Sequence, residues 1–333
     1  MDCDILIVGG GAAGSTAAYR LANSGANVVL VSSGTPATAM SPGRITVSQE
    51  SEELKKFLME AGRPYGLFTK EEKTENFTNK GTPYQQSFLS AYDDNSAAQA
   101  AAGIKGFKDL NPELVSRILS QTGRELKPYW IEEGSIEEMA EAMQEIPADT
   151  IMIPPLFDLR HYAASMDKLE KLSGRRLREA VTPLSLPGRR LSECLLQAAK
   201  TAGAQVMTGR KVIDVTAQSA LVQSGIREQE ITYSALLLAG GNLVSGGLSL
   251  DGNLVREPLL GINVTEINTP RLHSAALTEA LSSGICAHGC RAAAGVYACG
   301  SIVAGLSYPL SKGLWDVMLS AWKTAETIKE AAL

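Results

Sequence analysis

Hydrophobic spacing changes abruptly near the start of this chain. After Asp4, Ile5-Leu-Ile-Val8 is a continuous apolar run, the pattern of a strand buried on both faces. Glycines follow, and then an alanine-rich stretch. There Ala17, Ala18 and Leu21 supply packing positions, so the spacing predicts a helix over about 15–23, with Gly25 as its stop. Asn27-Val-Val-Leu-Val31 then reads as a second parallel strand.

Farther along, the pattern is less regular. Ser41-Pro-Gly-Arg44 is a turn cluster before Ile45-Thr-Val47. From Ser48 to about Lys80 the chain is charged, and Ser51 to Ala61 reads as an exposed amphipathic helix. Asn76 to Gln86 is polar and turn-rich. Asn111-Pro112 places Pro at a first helical position, and Leu114, Ile118 and Leu119 give that helix an apolar face. Ser135-Ile-Glu-Glu138 matches a capping box and opens a solvated helix. Thr150 to Leu156 is a short apolar strand cut by prolines. Leu184 to Arg189 reads as loop and Leu191 to Ala202 as helix, stopped by Gly203. Three short strands follow, at Gln205–Met207, Lys211–Val215 and Ala220–Val222. Thr232 to Ala239 is the clearest later buried strand, and Gly240-Gly241 ends it. That strand suggests a return of the chain to the first sheet. The βαβ unit is then split from its remaining strands by a long insertion.

The first turn carries chemistry. Gly9-x-Gly11-x-x-Gly14 lies between strand and helix. Gly9 permits the sharp turn, Gly11 lets backbone approach a pyrophosphate, and Gly14 lets helix pack on strand. The anion then meets unpaired N–H groups at the helix N-terminus. Ala12 and Ala13 belong to the same phosphate cradle. The second strand ordinarily ends in an acid that bonds the ribose. Here that position is Ser32, followed by Ser33, and no Arg replaces it. The motif's place near the start of the chain favours FAD, with FMN as the alternative.

Composition narrows the class. The 333 residues suit one discontinuous domain or two ordinary ones. A formal net charge of −5 gives no footprint for nucleic acid. The five cysteines include no CxxC pair, which fits a reducing compartment rather than a disulfide framework. No apolar stretch reaches about 20 residues, the length of a membrane span. Nor does the start of the chain leave room for a signal peptide. The expectation is a cytoplasmic chain, peripheral at a membrane only through a partner.

Four stretches together resemble the B-type subunit family of anaerobic glycerol-3-phosphate dehydrogenase, within the fumarate reductase and succinate dehydrogenase flavoprotein superfamily. They are Asp4 to Gly34, Leu237 to Leu248 with its Ser245-Gly-Gly-Leu248, Val255-Arg-Glu-Pro-Leu-Leu-Gly-Ile-Asn-Val264, and Val296 to Gly305 with the terminal helix. The most specific feature is the Ser-Gly-Gly-Leu and Arg-Glu-Pro pair in this order. The region from about 48 to 95 carries least of it. The resemblance implies a Rossmann-like, mostly parallel α/β FAD-binding domain with helices on both faces, made of residues 1–47 and 185–333. It is interrupted by an inserted, capping α+β region at 48–184. The implied activity is oxidation of sn-glycerol 3-phosphate to dihydroxyacetone phosphate. Electrons would pass through an iron–sulfur subunit to quinone, beside a catalytic flavoprotein subunit. Two alternatives stay open: a flavin dehydrogenase or reductase of another small anionic substrate, and a degenerate assembly subunit.

Candidate site residues follow. Gly240, Gly241, Gly300 and Ser301 are expected at the cofactor, Ser301 by analogy with a residue that touches the flavin ribitol. Gly313 and Leu314 open the last helix, whose N-terminal dipole is expected to face the flavin. Leu314 and Trp315 are bulkier than the family pattern there and are expected to crowd the site. Asp316 is expected to oppose a flavin anion. Gly43 and Arg44 form a second anion-binding candidate. Arg256 and Glu257 are the pair expected beside the isoalloxazine or the substrate, Arg being suited to phosphate or carboxylate. His273, one of three histidines, is the candidate general base. Cys286-Ala-His288-Gly-Cys290 has the wrong spacing for zinc, so no metal is expected.

Overall fold

A computed structural model describes residues 1–251, 254–262, 264, 284–285, 290–304, 306 and 313–332. In chain order its elements begin β1 (Asp2–Val8), α1 (Ala12–Ala22), β2 (Val28–Ser32), α2 (Ala37–Met40) and α3 (Glu52–Gly62). The middle of the chain holds β3 (Lys70–Phe77), β4 (Pro83–Leu89), β5 (Ala100–Ile104), α4 (Pro112–Ser120), β6 (Lys127–Ile131), α5 (Ile136–Gln144), β7 (Thr150–Ile153), α6 (Tyr162–Ser173), β8 (Arg176–Glu179) and α7 (Leu186–Thr201). Then come β9 (Gln205–Thr208), β10 (Lys211–Val215), β11 (Ser219–Ser224), β12 (Arg227–Leu238), β13 (Ser249–Asp251), β14 (Leu254–Arg256), β15 (Arg291–Ala293), β16 (Val296–Ala298) and α8 (Gly313–Ala332). Among the described residues no helix is long and apolar enough to cross a membrane.

The chain divides into two compact units. The first comprises Met1–Thr38, Val47–Leu54 and Leu195–Leu333. Its sheet runs β10-β11-β12-β1-β2-β9, with β16 beside β12 and β15 beside β16. The strands β16, β12, β1, β2 and β9 pair in parallel. Alternation explains their continuous apolar sequence. Ile5, Ile7, Val28, Leu30, Ala235 and Leu237 enter one core, with α1, α8 and Ala199. Leu6, Val29, Val31, Leu236 and Leu238 enter the other, with Val212, Val222, Leu248 and Val255. A strand with solvent on neither face has no use for polar alternation. Small residues bring the two helices close: Ala17, Ala18, Ala321 and Ala325 are all essentially inaccessible. Arg20 lies 4.6 Å above the Trp322 ring and pairs with both Glu53 and Glu326.

The second unit comprises Ala39–Thr46 and Lys55–Cys194. Four strands in the order β6-β5-β7-β8 form a wholly parallel sheet. Since α4, α5 and α6 alternate with these strands, this part is built of βαβ crossovers, beside an antiparallel β3–β4 hairpin. Sequence spacing predicted β7 here but not β3 to β6 or β8. The reason is composition. β5 is Ala-Ala-Ala-Gly-Ile and lacks β-branched bulk until its end, β3 and β8 are rich in charge, and β6 opens with Lys127-Pro128. Their strand state comes from pairing partners rather than propensity.

Helix boundaries show how local chemistry acts. The capping box at Ser135 and Glu138 is formed in both directions. Asn111 caps α4 through Leu114 N–H. By contrast, α7 starts at Leu186, five residues before the spacing predicts. Pro187 sits in its first turn, where a missing N–H costs nothing. α1 starts at Ala12 rather than near 15 because the glycine turn leads directly into it.

A buried charge cluster anchors the second unit. Arg190 grips Glu179 with two hydrogen bonds of 2.7 and 2.9 Å and donates from Nε to Phe157 O. Arg44 lies 2.7 Å from Asp93 and 3.9 Å from Glu179. Burial works against the Arg190 charge, but the facing Glu179 outweighs it and the guanidinium stays charged above its ordinary value. Burial pushes the Tyr162 hydroxyl well up, and Glu179 and Asp93 add to this. Two Arg against two carboxylates balance in charge, and their pairing offsets the cost of desolvating each ion. Removing one partner strands the rest, so Glu179→Ala should lower unfolding free energy by about 3–5 kcal/mol. Urea denaturation measures this, and a loss under about 1 kcal/mol would contradict the cluster's role.

Candidate functional site

At the carboxyl ends of β1, β2 and β12 the chain forms a cavity of about 190 Å³. This is where open parallel sheets bind ligands. Four segments of the first unit meet there: Val8–Ala13, Val31–Thr38, Arg210–Val212 and Leu238–Gly241. Ser245–Gly247, Glu257–Leu259, Ser301, Ile302 and Val317 complete its lining.

The glycines of the turn are required for different reasons. Gly9 has φ +117°, and a Cβ on it would fall 2.3 Å from Ala239 O. A Cβ on Gly14 would fall 1.8 Å from Gly9 O. Both are therefore demanded by the protein's own packing. Gly11 is not. Its φ of −78° and ψ of −169° suit any residue, and an added Cβ would meet only Pro36 and Thr38 at 3.5 Å, ordinary contact. Nothing in the described protein needs a glycine there, whereas a ligand pressed against the backbone does. Nor does Gly11 offer a capping side chain, and instead Thr38 Oγ1 accepts from Ala12 N–H at 2.8 Å. This open, amide-rich turn fits a pyrophosphate.

Of the cofactor residues expected from sequence, Gly9, Gly11, Ala12, Ala13, Ser32, Ser33, Gly240, Gly241 and Ser301 line the cavity. Gly14 and Gly300 lie behind that lining. Gly300 packs so closely that a Cβ on it would fall 2.5 Å from Ala13 Cβ. Arg44 is corrected, and with Gly43 it belongs to the second unit. Arg44 is only 3% exposed and is committed to Asp93, so it is neither a surface residue nor an available anion site. Gly313 and Leu314 are not among the described lining residues, and α8 reaches the cavity through Val317. Trp315 is fully buried and its indole donates to Gln49 O at 2.8 Å. It is not among the cavity's lining residues either, so its indole is committed to packing rather than to the cavity. Asp316 is hydrogen-bonded to Ser48 Oγ.

Arg256 and Glu257 differ in exposure. Arg256 is exposed. Glu257 is 2% exposed, and its carboxylate accepts from Leu259 N–H at 3.0 Å and Leu260 N–H at 2.7 Å. It shapes the loop that borders the cavity. Each oxygen thus already accepts one backbone N–H, and Glu257 lines the cavity. His273, Cys286 and His288 lie outside the described residues. Cys290 is half-buried, and among the described residues no group of three potential metal ligands occurs.

Sequence reasoning missed Thr38, Arg210 and Lys211. Thr38 lies beyond the motif, in a segment whose fold no periodicity marks. Arg210 and Lys211 reach the cavity because β9 pairs with β2 and Arg210 N–H donates to Ser32 O at 3.1 Å. That neighbourhood exists only in three dimensions.

Comparison with known proteins bears on the cofactor. Residues 4–66 match the family model described as FAD binding domain. The cofactor is FAD. The fold is accordingly the Rossmann-type fold of FAD-dependent oxidoreductases. No curated protein matches the chain. Solved structures similar to it include THI4 from Thermovibrio ammonificans, at 13% identity over 99% of this chain and 90% of that one, with a TM-score of 0.38. Glycine oxidase from Bacillus cereus is similar at 14% identity, over 99% and 95%, with a TM-score of 0.42. A myxobacterial FAD-dependent halogenase, CndH, is similar at 12% identity, over 100% and 76%, with a TM-score of 0.42. Likeness at this level carries no functional detail to this chain.

The glycine contrast makes a prediction. Gly11→Ala should leave the stability of the flavin-free chain within about 0.5 kcal/mol while FAD affinity falls at least about tenfold. Gly14→Ala should destabilise the fold by about 3 kcal/mol or more through backbone overlap. Urea denaturation and fluorescence titration with FAD separate the two. Full FAD affinity in Gly11→Ala would sink the pyrophosphate reading of the turn.

Proposed function

We propose that this chain is a flavin redox subunit of an anaerobic glycerol-3-phosphate dehydrogenase-like complex. One observation carries the reading. Ser245–Gly247 and Glu257–Leu259, the motifs most specific to that resemblance, line the same cavity as the glycine turn. They lie more than 200 residues from it in sequence.

The chain's residues divide the work. Gly11 and Ala13 offer backbone amides to the pyrophosphate, beside Ala12, whose N–H is held by Thr38, and Ser32 and Ser33 border the ribose. Gly240, Gly241, Ser245 and Ser301 border the flavin end. FAD, when bound, supplies the capacity to accept a hydride or electron pair and release it singly. Among the described lining residues the cations are Arg210 and Lys211, both beside Ser32. The flavin end thus shows no cation among its described residues to seize a phosphorylated substrate. This favours a division in which a neighbouring flavoprotein subunit oxidises sn-glycerol 3-phosphate. The flavin here would relay electrons toward an iron–sulfur subunit and quinone, with membrane attachment through those partners. Trp315, buried among packing residues, gives no support to a degenerate, flavin-free assembly subunit.

Two measurements test the proposal. The purified chain should be yellow and release FAD, identified by mass. Anaerobic addition of glycerol 3-phosphate should bleach its flavin in the assembled complex but not in the isolated chain. A colourless chain refutes the redox role, and an unbleached complex refutes the substrate.

A further inference from the structure

The end of the cavity that lacks the ribose acid is cationic. The carboxylate among its described lining residues, Glu257, has both oxygens bonded to backbone N–H groups. Arg210 and Lys211 line the cavity next to Ser32. Arg210 is half-buried and held at one corner: Nη1 donates to Gln229 Oε1 at 3.2 Å and reaches Met207 Sδ at 3.5 Å. A guanidinium carries five N–H donors in a fixed fork. Nε and Nη2 have no protein partner among the described residues. Lys211 follows at the start of β10 and is exposed.

A ribose hydroxyl both donates and accepts. The usual carboxylate uses the hydroxyl as donor, and this chain has no such group in place. What stands there instead are donors: the guanidinium fork, an ammonium and two serine hydroxyls. They suit the ribose oxygens as acceptors and add positive charge toward an adjoining phosphate. We propose that Arg210 and Lys211 recognise the adenosine half of FAD in place of the missing acid and so select FAD over FMN. The assignment rests on the FAD reading of the cavity. It gives Gln229 a task as well, orienting Arg210 from β12.

The test is binding rather than turnover. The full chain, freed of flavin, is titrated with FAD and FMN by fluorescence and with ADP by displacement of FAD. ADP carries the adenine, ribose and phosphates without the flavin. The double variant Arg210→Gln, Lys211→Gln should weaken FAD and ADP at least about tenfold and change FMN by no more than about twofold. Gln229→Leu should weaken FAD and ADP less, again sparing FMN. Thermal melting checks that each variant is folded, and Lys211→Gln alone, on an exposed side chain, serves if the double variant is not. Equal weakening of all three ligands overturns the assignment, as does unchanged FAD affinity. A natural chain that takes up FMN but neither FAD nor ADP overturns the FAD reading and the assignment together. One that binds FAD while the variants bind it equally well overturns the assignment alone.

Discussion

The contact between Gly9 and Gly14 is the constraint on which the cofactor site depends. The Gly9 carbonyl oxygen occupies the space a side chain at position 14 would need. This lets α1 begin directly on the turn after β1, with Ala12 as its first residue. Moving the helix outward by one methyl group would shift its first amides away from the strand ends. It would also loosen the packing of Ala17, Ala18 and Leu21 on β1 and α8. Fold and site therefore share one backbone contact: the helix is close because the glycines allow it, and its dipole meets an anion because it is close.

Around that contact the chain arranges loops that are stiff for local reasons. Glu257 ties down Leu259 and Leu260. Asn242 accepts from Val244 N–H at 3.0 Å through its side chain and from Ser245 and Gly247 through its backbone. Thr38 fills the acceptor role that Gly11 lacks. Each saturates backbone amides in a loop that helix or sheet does not serve. The second unit meets the same demand differently. There Arg44, Asp93, Glu179 and Arg190 neutralise one another in the core.

Much of the cofactor half was legible because its signals are local. Apolar runs predicted β1, β2 and β12, and the glycine spacing predicted the turn between β1 and α1. Capping chemistry predicted α4 and α5. These features arise within a few residues, so one stretch of chain contains both cause and effect. The strands of the second unit were not legible. Ala100–Ile104 becomes a strand because it lies between Lys127–Ile131 and Thr150–Ile153, and its run of alanines does not state that.

The site divides along the same line. By itself the sequence determined a phosphate-binding turn, a flavin cofactor and the absence of the ribose acid at Ser32, since each is a matter of residue identity at a fixed offset. Only the tertiary structure decided that Arg44 faces Asp93 inside a core, that Glu257 serves its own loop, and that Trp315 packs against Gln49 rather than at the cofactor. It alone brought Arg210 and Lys211, nearly 180 residues farther along, beside Ser32. Charge and bulk are properties of a residue, but whom they meet depends on strand pairing across the whole chain.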